Sequence, residues 1–395
     1  MQSFDVAVLG LGATGSAALY HLAKRGVRAL GIDRYSPPHP FGSTHGDTRV
    51  TRLAIGEGEH YTPLALRSHA LWRELEAETK EDLLTANGGL IISSRATTAH
   101  THVEHFFDNT LAAARKFGIT HELLDAAEIR RRFPQFKVAD HERGYLEKEA
   151  GFVRPERCVA AHLRAAERRG AIIRRNERGV GFRASAGGVT VETDRGLYTA
   201  ATLVVAIGPW LPGWAESIAP YFRIYRQTLF WFAIDGPSAL FEAERCPIFI
   251  WEVMGRKYGV YGFPAIDGPD GGIKIATEQF DGTSDPDTVR RDVTQSEIRS
   301  MYEECIAPHI SGVSARCLKA LTCLYTVTPD FGFVLDRHPD SERVLIASPC
   351  SGHGFKHSPA IGEGLAELAT GAAPRFDTSR FALRRFGRSR TLGSS

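Results

Sequence analysis

The sequence predicts an α/β fold: a Rossmann-like dinucleotide-binding domain interleaved with an α+β domain built on a mainly antiparallel sheet. Three observations lead there. An amino-terminal apolar run enters the turn Gly10, Gly12, Gly15, spaced G-x-G-x-x-G, and leaves it in an Ala-rich helical segment. Between residues 220 and 280 the runs TLFWFAI, CPIFIWEV, KYGVYGFPAI and GGIKIATEQF are aromatic and alternating, the pattern of antiparallel strands. Segments with the character of the first domain return at 151–217 and 322–385, so that domain is expected in three pieces (1–87, 151–217, 322–385). Residues 88–150 and 218–321 are then the second domain, and 386–395 a tail without a role.

In the first element, FDVAVLGLGATGSAALYHLAKRGVRALGIDR, each glycine has a physical task. Gly10 permits the tight turn, Gly12 lets a pyrophosphate approach the backbone, and Gly15 lets helix and strand pack closely. The phosphates would meet free N–H groups and the positive end of the helix dipole. Gly26 ends the helix, and a second strand delivers Asp33, whose carboxylate can accept hydrogen bonds from a ribose. Candidate cofactor contacts are Gly10, Gly12, Ala13, Thr14, Gly15, Asp33 and Arg34, with Ser43 in the loop that follows. The motif alone does not separate FAD from NAD.

The chain then runs through a Pro- and Gly-rich loop, SPPHPFGSTHGDTR, into a helix expected over Thr62 to Thr79, where Leu64, Leu66, Leu71, Trp72 and Leu75 supply an apolar side. A strand is expected over 88–94 and helices over Thr101 to Phe117 and Leu124 to Phe133, the latter stopped by Pro134. Pro155 to Arg169 reads as a helix, and Ala171 to Arg174, Gly188 to Thr193 and Thr202 to Ile207 as strands. Asp285 to Ile306 reads as helical, and a glycine turn feeds a last helix from Ser358 to about Thr370.

Composition excludes several classes. A 395-residue chain with 43% hydrophobic and 24% charged residues is long enough for two domains of an ordinary globular enzyme. Its formal net charge of +2 predicts neither a nucleic-acid nor an acidic-membrane partner. No apolar run is long enough to span a bilayer, and the amino terminus enters a strand with no basic leader, so no membrane anchor or leader is expected. The six cysteines form no C-x-x-C pair and no metal-ligand spacing. Free thiols in a reducing cytoplasm, and no metal, are the expectation.

Three features favour a flavin over a nicotinamide: the third return of the chain to its nucleotide domain, Cys323 in an apolar strand just before TPD, and SGHGFKH. The last sets glycines and Lys356 at a helix start, where N–H groups and the dipole can hold the negative charge a reduced flavin develops. GSTHGDTRVTRLAIGEGEHYTPLALRSHALW (42–72), CLYTVTPD (323–330) and SGHGFKHSPAIGE (351–363) resemble the corresponding stretches of the monomeric sarcosine oxidase and N-methyltryptophan oxidase family.

That resemblance implies FAD, attached covalently through Cys323 by a thioether to the flavin 8α-methyl, with cations stabilising charge on the ring. It implies that His45, Thr48 and Arg49 line the flavin, and that Gly352, Gly354, Phe355 and Lys356 contribute from the last helix start. Arg52 and Lys356 match the pair that grips the substrate carboxylate, a fork and a point charge side by side. Lys274 matches the lysine that activates oxygen, and Tyr261 and Tyr325 match aromatic positions near the substrate amine. The expected activity is oxidation of a secondary or N-methyl amino acid to an imine, with hydrogen peroxide from oxygen, by a monomer. An oxidase of a cyclic, pipecolate- or proline-like acid and a flavin dehydrogenase with another acceptor are the alternatives. The chain departs from the family where Glu278 replaces a histidine, where Pro349-Cys350 precede SGHGF, and over Asp267 to Gly272. Glu278 is expected either to bind a second amine or hydroxyl of the substrate or to pair with Arg256 or Lys257.

Overall fold

The computed structural model describes residues 2–94 and 103–387. Two eight-stranded sheets dominate it. The first runs in the order Gly179–Ser185, Gly188–Thr193, Gly196–Val205, Gln2–Leu9, Ala29–Ile32, Ile172–Arg174. Gly196–Val205 is its pivot. Val6 to Leu9 pair in parallel with Thr202 to Val205 on one side, and Ser341–Ser348 joins in parallel on the other, carrying Val334–His338 outside it. Parallel central strands demand cover on both faces, and their near-continuous apolar sequence supplies it. The amino-terminal helix Ala13–Lys24 is buried between Pro155–Arg168 and Ser358–Ala369.

Gly10 shows why the turn must be glycine. Its φ is +86°, and a Cβ there would stand 2.5 Å from the Ala206 carbonyl oxygen. A Cβ on Gly15 would stand 1.8 Å from the Gly10 carbonyl oxygen, so helix and strand could not approach as they do.

The second sheet runs Val313–Val327, Arg223–Ile234, Ile273–Thr277, Val260–Phe263, Ile248–Trp251, Gly89–Ser94, Glu142–Glu147, Glu122–Asp125. All its pairs are antiparallel except Ile248–Trp251 with Gly89–Ser94. Phe230, Phe232, Phe249 and Trp251 pack its core face. A small third sheet, Arg49–Thr51, Gly151–Val153 and Leu84–Thr85, lies where the loop after Asp33 meets the return of the chain.

The helices Thr62–Thr79, Pro155–Arg168 and Ser358–Ala369 form where periodicity predicts them. Leu66, expected on the apolar side of the first with Leu64, Leu71, Trp72 and Leu75, is exposed because it lies off the face that those four bury. The helix predicted from Thr101 begins at Phe106; residues 101–102 lie outside the described residues, as do 388–395 of the tail. Two expectations are corrected. Leu124 and Asp125 end a strand paired with Gly144 and Arg143, and the helix starts at Ala126 because Asp125 caps it, accepting the Glu128 N–H at 2.8 Å. From Asp285 to Ile306 the regular helix is only Gln295–Met301, continued by a π turn to Ile306. Thr294 and Glu297 form a capping box that fixes its start, and Asp285 turns the chain earlier by accepting the Asp287 N–H. The strand predicted at Thr202 to Ile207 begins earlier and ends earlier, at Gly196–Val205. Among the described residues no helix is long and apolar enough to cross a membrane, no cluster of metal-ligating side chains occurs, and the six cysteines are free.

Candidate active site

A cavity of about 460 Å³ runs from the glycine turn to the start of the last helix. One end is walled by Gly10, Gly12, Ala13, Thr14, Asp33 and Arg34, the other by Arg49, Tyr325, Gly352, Gly354 and Phe355, with Ser43 between. Gly12 supplies no cap to the amino-terminal helix, whose first turn meets the cavity at Ala13 and Thr14; the Ala13 N–H donates to Thr44 Oγ1 at 3.4 Å. Asp33 is clamped by the N–H groups of Leu11 (2.7 Å) and Tyr35 (2.8 Å), one to each oxygen. Each oxygen retains a second acceptor position in a cavity wall. Arg34 is held by Asp287 at 2.7 Å and lies over the rings of Tyr35 and Trp210. Those two aromatics and His39 are cavity residues that sequence reasoning passed over; X-Pro and aromatic residues in a loop carry no signal of which cavity they face.

A second cavity, of about 100 Å³, shares Arg49, Tyr325, Gly352 and Phe355 with the first as a common wall. Arg52, Lys356 and Tyr261, assigned to substrate by resemblance, all line it, and so does Glu278, where the chain departs from the family. The unexpected resident is Glu57. It pairs with Arg52 through one oxygen and lies 3.3 Å from the Lys356 ammonium through the other. Arg52 also donates to the Ala54 carbonyl and stacks 4.7 Å from the Phe106 ring centroid, and Lys356 donates to the His353 carbonyl at 2.8 Å. The pair expected to hold a carboxylate holds one supplied by the chain. Burial pulls the Lys356 ammonium down to about 8, with Glu57 opposing that pull. Glu57 stands between two glycines, and Gly56 lets the chain pass close to Phe106 and Thr110, where a Cβ would stand 2.6 Å from the Phe106 carbonyl oxygen; sequence reasoning did not single it out.

Arg256 pairs with Glu304 at 3.0 Å and Lys257 with Asp281 at 2.5 Å. The Glu278 carboxylate reaches the common wall: a Cβ on Gly352 would lie 3.5 Å from Glu278 Oε1 and 3.1 Å from the Tyr325 ring. The Gln227 amide fixes this strand end, donating to the Gln279 carbonyl and accepting its N–H. Burial pushes the Tyr261 phenol up to about 12 and that of Tyr325 well above its ordinary value, so both are neutral donors.

Behind the wall lie the remaining predicted residues. Cys323 is fully buried, with its Sγ 3.4 Å from an Arg49 nitrogen and 3.6 Å from the Ser43 carbonyl oxygen. Ser43 in turn donates to the Leu324 carbonyl. Lys274 is buried and lines neither cavity; it donates to the carbonyls of Gly46 (2.7 Å) and Thr48 (2.8 Å) and lies 4.8 Å from the Phe263 ring centroid. Thr48 also accepts from Arg49 at 2.8 Å, so two cations meet on one carbonyl. Burial, then Arg49, drives the Lys274 amine well below its ordinary range. His45 is buried with both ring nitrogens unpartnered, and burial holds it near 3, so it is neutral.

A long cavity that begins at a dinucleotide-type glycine turn thus meets, at a cationic and aromatic wall, a small cavity lined by Arg52, Glu57 and Lys356. The profile of the family described as FAD dependent oxidoreductase matches residues 5–368, and the chain belongs to that family. The monomeric sarcosine oxidase of Streptomyces avermitilis is 40% identical over 96% of this chain and 98% of its own. The N-methyl-L-tryptophan oxidase of Salmonella newport is 32% identical over 98% of this chain and all of its own. In fold, the chain is similar to NikD, described as an unusual amino acid oxidase essential for nikkomycin biosynthesis, with a TM-score of 0.82 at 24% identity over 97% of this chain and 98% of that one. The chain is an FAD-dependent amine oxidoreductase.

The first cavity fits FAD. Gly12 opens its wall, since a Cβ there would meet only the Thr44 hydroxyl, at 3.4 Å; the Asp33 oxygens keep acceptor positions at the adenosine end; and Arg49, which lines the other end, stands 3.4 Å from the Cys323 sulfur.

Proposed function

We propose that the protein oxidises a small secondary or N-methyl amino acid to its imine, with oxygen as the acceptor. The observation that carries this reading is the Arg52–Glu57–Lys356 cluster, a carboxylate grip beside the wall shared with the FAD cavity. The substrate carboxylate displaces Glu57 from the two cations, which then fix the amino acid against the wall. Tyr261 and Tyr325 hold the neutral amine from the aromatic side, and Glu278 sets the polarity opposite the grip. When bound, FAD supplies the two-electron acceptor for the hydride leaving the carbon on nitrogen, and dioxygen takes those electrons as hydrogen peroxide. Lys274, beyond the wall, provides positive charge for the oxygen side. Water then hydrolyses an N-methylene imine to formaldehyde and the primary amine. The balance is N-methyl amino acid, oxygen and water to amino acid, formaldehyde and peroxide.

Residues 1–87, 151–217 and 322–385 serve as the FAD-binding domain and 88–150 with 218–321 as the substrate domain. Val313–Val327 crosses between them and carries both Cys323 and Tyr325. The chain acts as a monomer. Cys323 is the covalent attachment point, a reading supported by Arg49 beside its sulfur. Flavin should stay with acid-precipitated wild type and be released from Cys323→Ala; flavin that washes out of the wild type refutes the attachment.

The test of function is oxygen consumption with peroxide and formaldehyde measured together over a panel of N-methyl and cyclic amino acids. Equimolar peroxide and formaldehyde with small N-methyl acids is expected. Peroxide without formaldehyde, from a cyclic acid, would instead support the second reading that the Glu278 carboxylate favours. Flavin reduction without peroxide would identify a dehydrogenase.

A further inference from the structure

The loop that carries His45, Thr48 and Arg49 is held from behind by a residue with no assigned part in the reaction. Glu156, in the first turn of the helix Pro155–Arg168, accepts the N–H of Gly46 at 2.6 Å and the N–H of Asp47 at 3.2 Å, both on Oε1. The backbone can present both N–H groups because Gly46 and Asp47 adopt left-handed conformations, φ +98° and +67°. The peptide between Gly46 and Asp47 therefore has two charged neighbours. Its carbonyl accepts from the Lys274 ammonium at 2.7 Å, and its N–H donates to the Glu156 carboxylate. A peptide polarised at both ends in the same sense strengthens both hydrogen bonds.

The other charges near Lys274 do not do this. Asp47 is a second carboxylate near Lys274, but it is paired with Lys319 at 2.6 Å, and Lys319 lies over the same Trp231 ring as Lys274, at 4.5 Å against 5.4 Å. Arg49 is a like charge drawn to the same Thr48 carbonyl, Cys323 lies beside Arg49, and His45 is neutral.

We infer that Glu156 is the counter-ion of Lys274, acting through the single Gly46–Asp47 peptide, and so is a positioning residue for the oxygen-side half of the reaction. The inference rests on the reading that Lys274 serves that half. Its physical content is that a buried ammonium beside Arg49 keeps its proton only with compensating negative charge, and Glu156 is the carboxylate wired to it. The charged form exists below the Lys274 pKa, so reoxidation is fast there and is lost as pH rises through it. Removing the Glu156 charge moves that loss to lower pH.

Glu156→Gln is the discriminating change, because the amide oxygen can still accept both N–H groups and only the charge is removed. In holoenzyme labelled with [ε-¹³C]lysine, the Lys274 resonance, assigned by its absence in Lys274→Met, gives the titration midpoint directly. The expected result is a midpoint about one pH unit lower in Glu156→Gln. Reoxidation of the reduced enzyme by oxygen should slow about fivefold at the wild-type midpoint, as the charged fraction falls. Anaerobic reduction by substrate should change less than about twofold. An unmoved midpoint overturns the inference. If Glu156→Gln does not hold FAD, Glu156→Asp decides: the retracted carboxylate lowers the midpoint by a smaller step if the inference is right and leaves it in place if it is wrong. The two readings separate cleanly. Normal reoxidation by Lys274→Met would remove Lys274 from the oxygen step, whereas a slow Lys274→Met with an unmoved Glu156→Gln midpoint would sink Glu156 alone.

Discussion

The two cavities meet at one wall but are built in opposite ways. At its glycine end the larger is organised by backbone: glycines without side chains, a helix start with no N-cap side chain, and a carboxylate clamped by main-chain donors. The smaller is made of long charged side chains that arrive from far apart. Lys356 and Glu57 are separated by 299 positions in the chain. A backbone site is specific for a shape that many substrates share, whereas a side-chain site is specific for charge placement and is adjusted one residue at a time. FAD binding is therefore the rigid property of this chain and substrate choice the adjustable one.

That contrast can be broken first at the backbone. Gly15→Val sets a Cβ within 1.8 Å of the Gly10 carbonyl oxygen, and neither helix nor strand can yield without unpacking the core. Purified Gly15→Val should lack visible flavin absorbance; a yellow, active variant would show that the close packing is dispensable. Arg52→Ala should retain full flavin but lose at least about a hundredfold in kcat/KM for amino acids, because Glu57 and the substrate carboxylate are left in a buried site with one cation. An analogue lacking the carboxylate should lose far less. Equal losses for both would mean that Arg52 maintains the cavity and does not read the acid.

Smaller effects test the electrostatics. Lys356 is charged below about 8, so the grip weakens above it, and KM for acids should rise with pH by up to about tenfold per unit. Lys356→Met should abolish that dependence; a wild-type KM flat from pH 7 to 10 would be incompatible with a Lys356 that titrates there. Glu57→Gln removes the competing charge and keeps only one of the two hydrogen bonds, because its amide nitrogen cannot accept from a cation. KM for acids should fall about threefold to tenfold with kcat nearly unchanged, and a rise in KM would show that Glu57 assists binding.

Much of the fold was legible because its signals are local. The glycine turn, the apolar periods of three helices and the alternating aromatic runs all act within a few residues. Thr294 and Asp125 were misjudged as interior to helices although each carries a local capping signal; helical periodicity outweighed it. In the site, Arg52, Lys356, Tyr261 and Tyr325, named by resemblance, and Glu278, named as a departure from it, line one cavity. Glu57 and Glu156 were missed because a glutamate in a loop or in a first helical turn reads as solvated.

By itself the sequence determined where the backbone must turn, which helix presents its N–H groups, and which charged side chains exist. Only the tertiary structure decided what those charges face. Glu57 lies between Arg52 and Lys356, and Glu156 stands one peptide behind Lys274. Glycine geometry and helical periodicity are enforced within a turn of chain. A buried ion pair is enforced by the cost of leaving either charge unpaired, and that cost arises only when distant segments exclude water together.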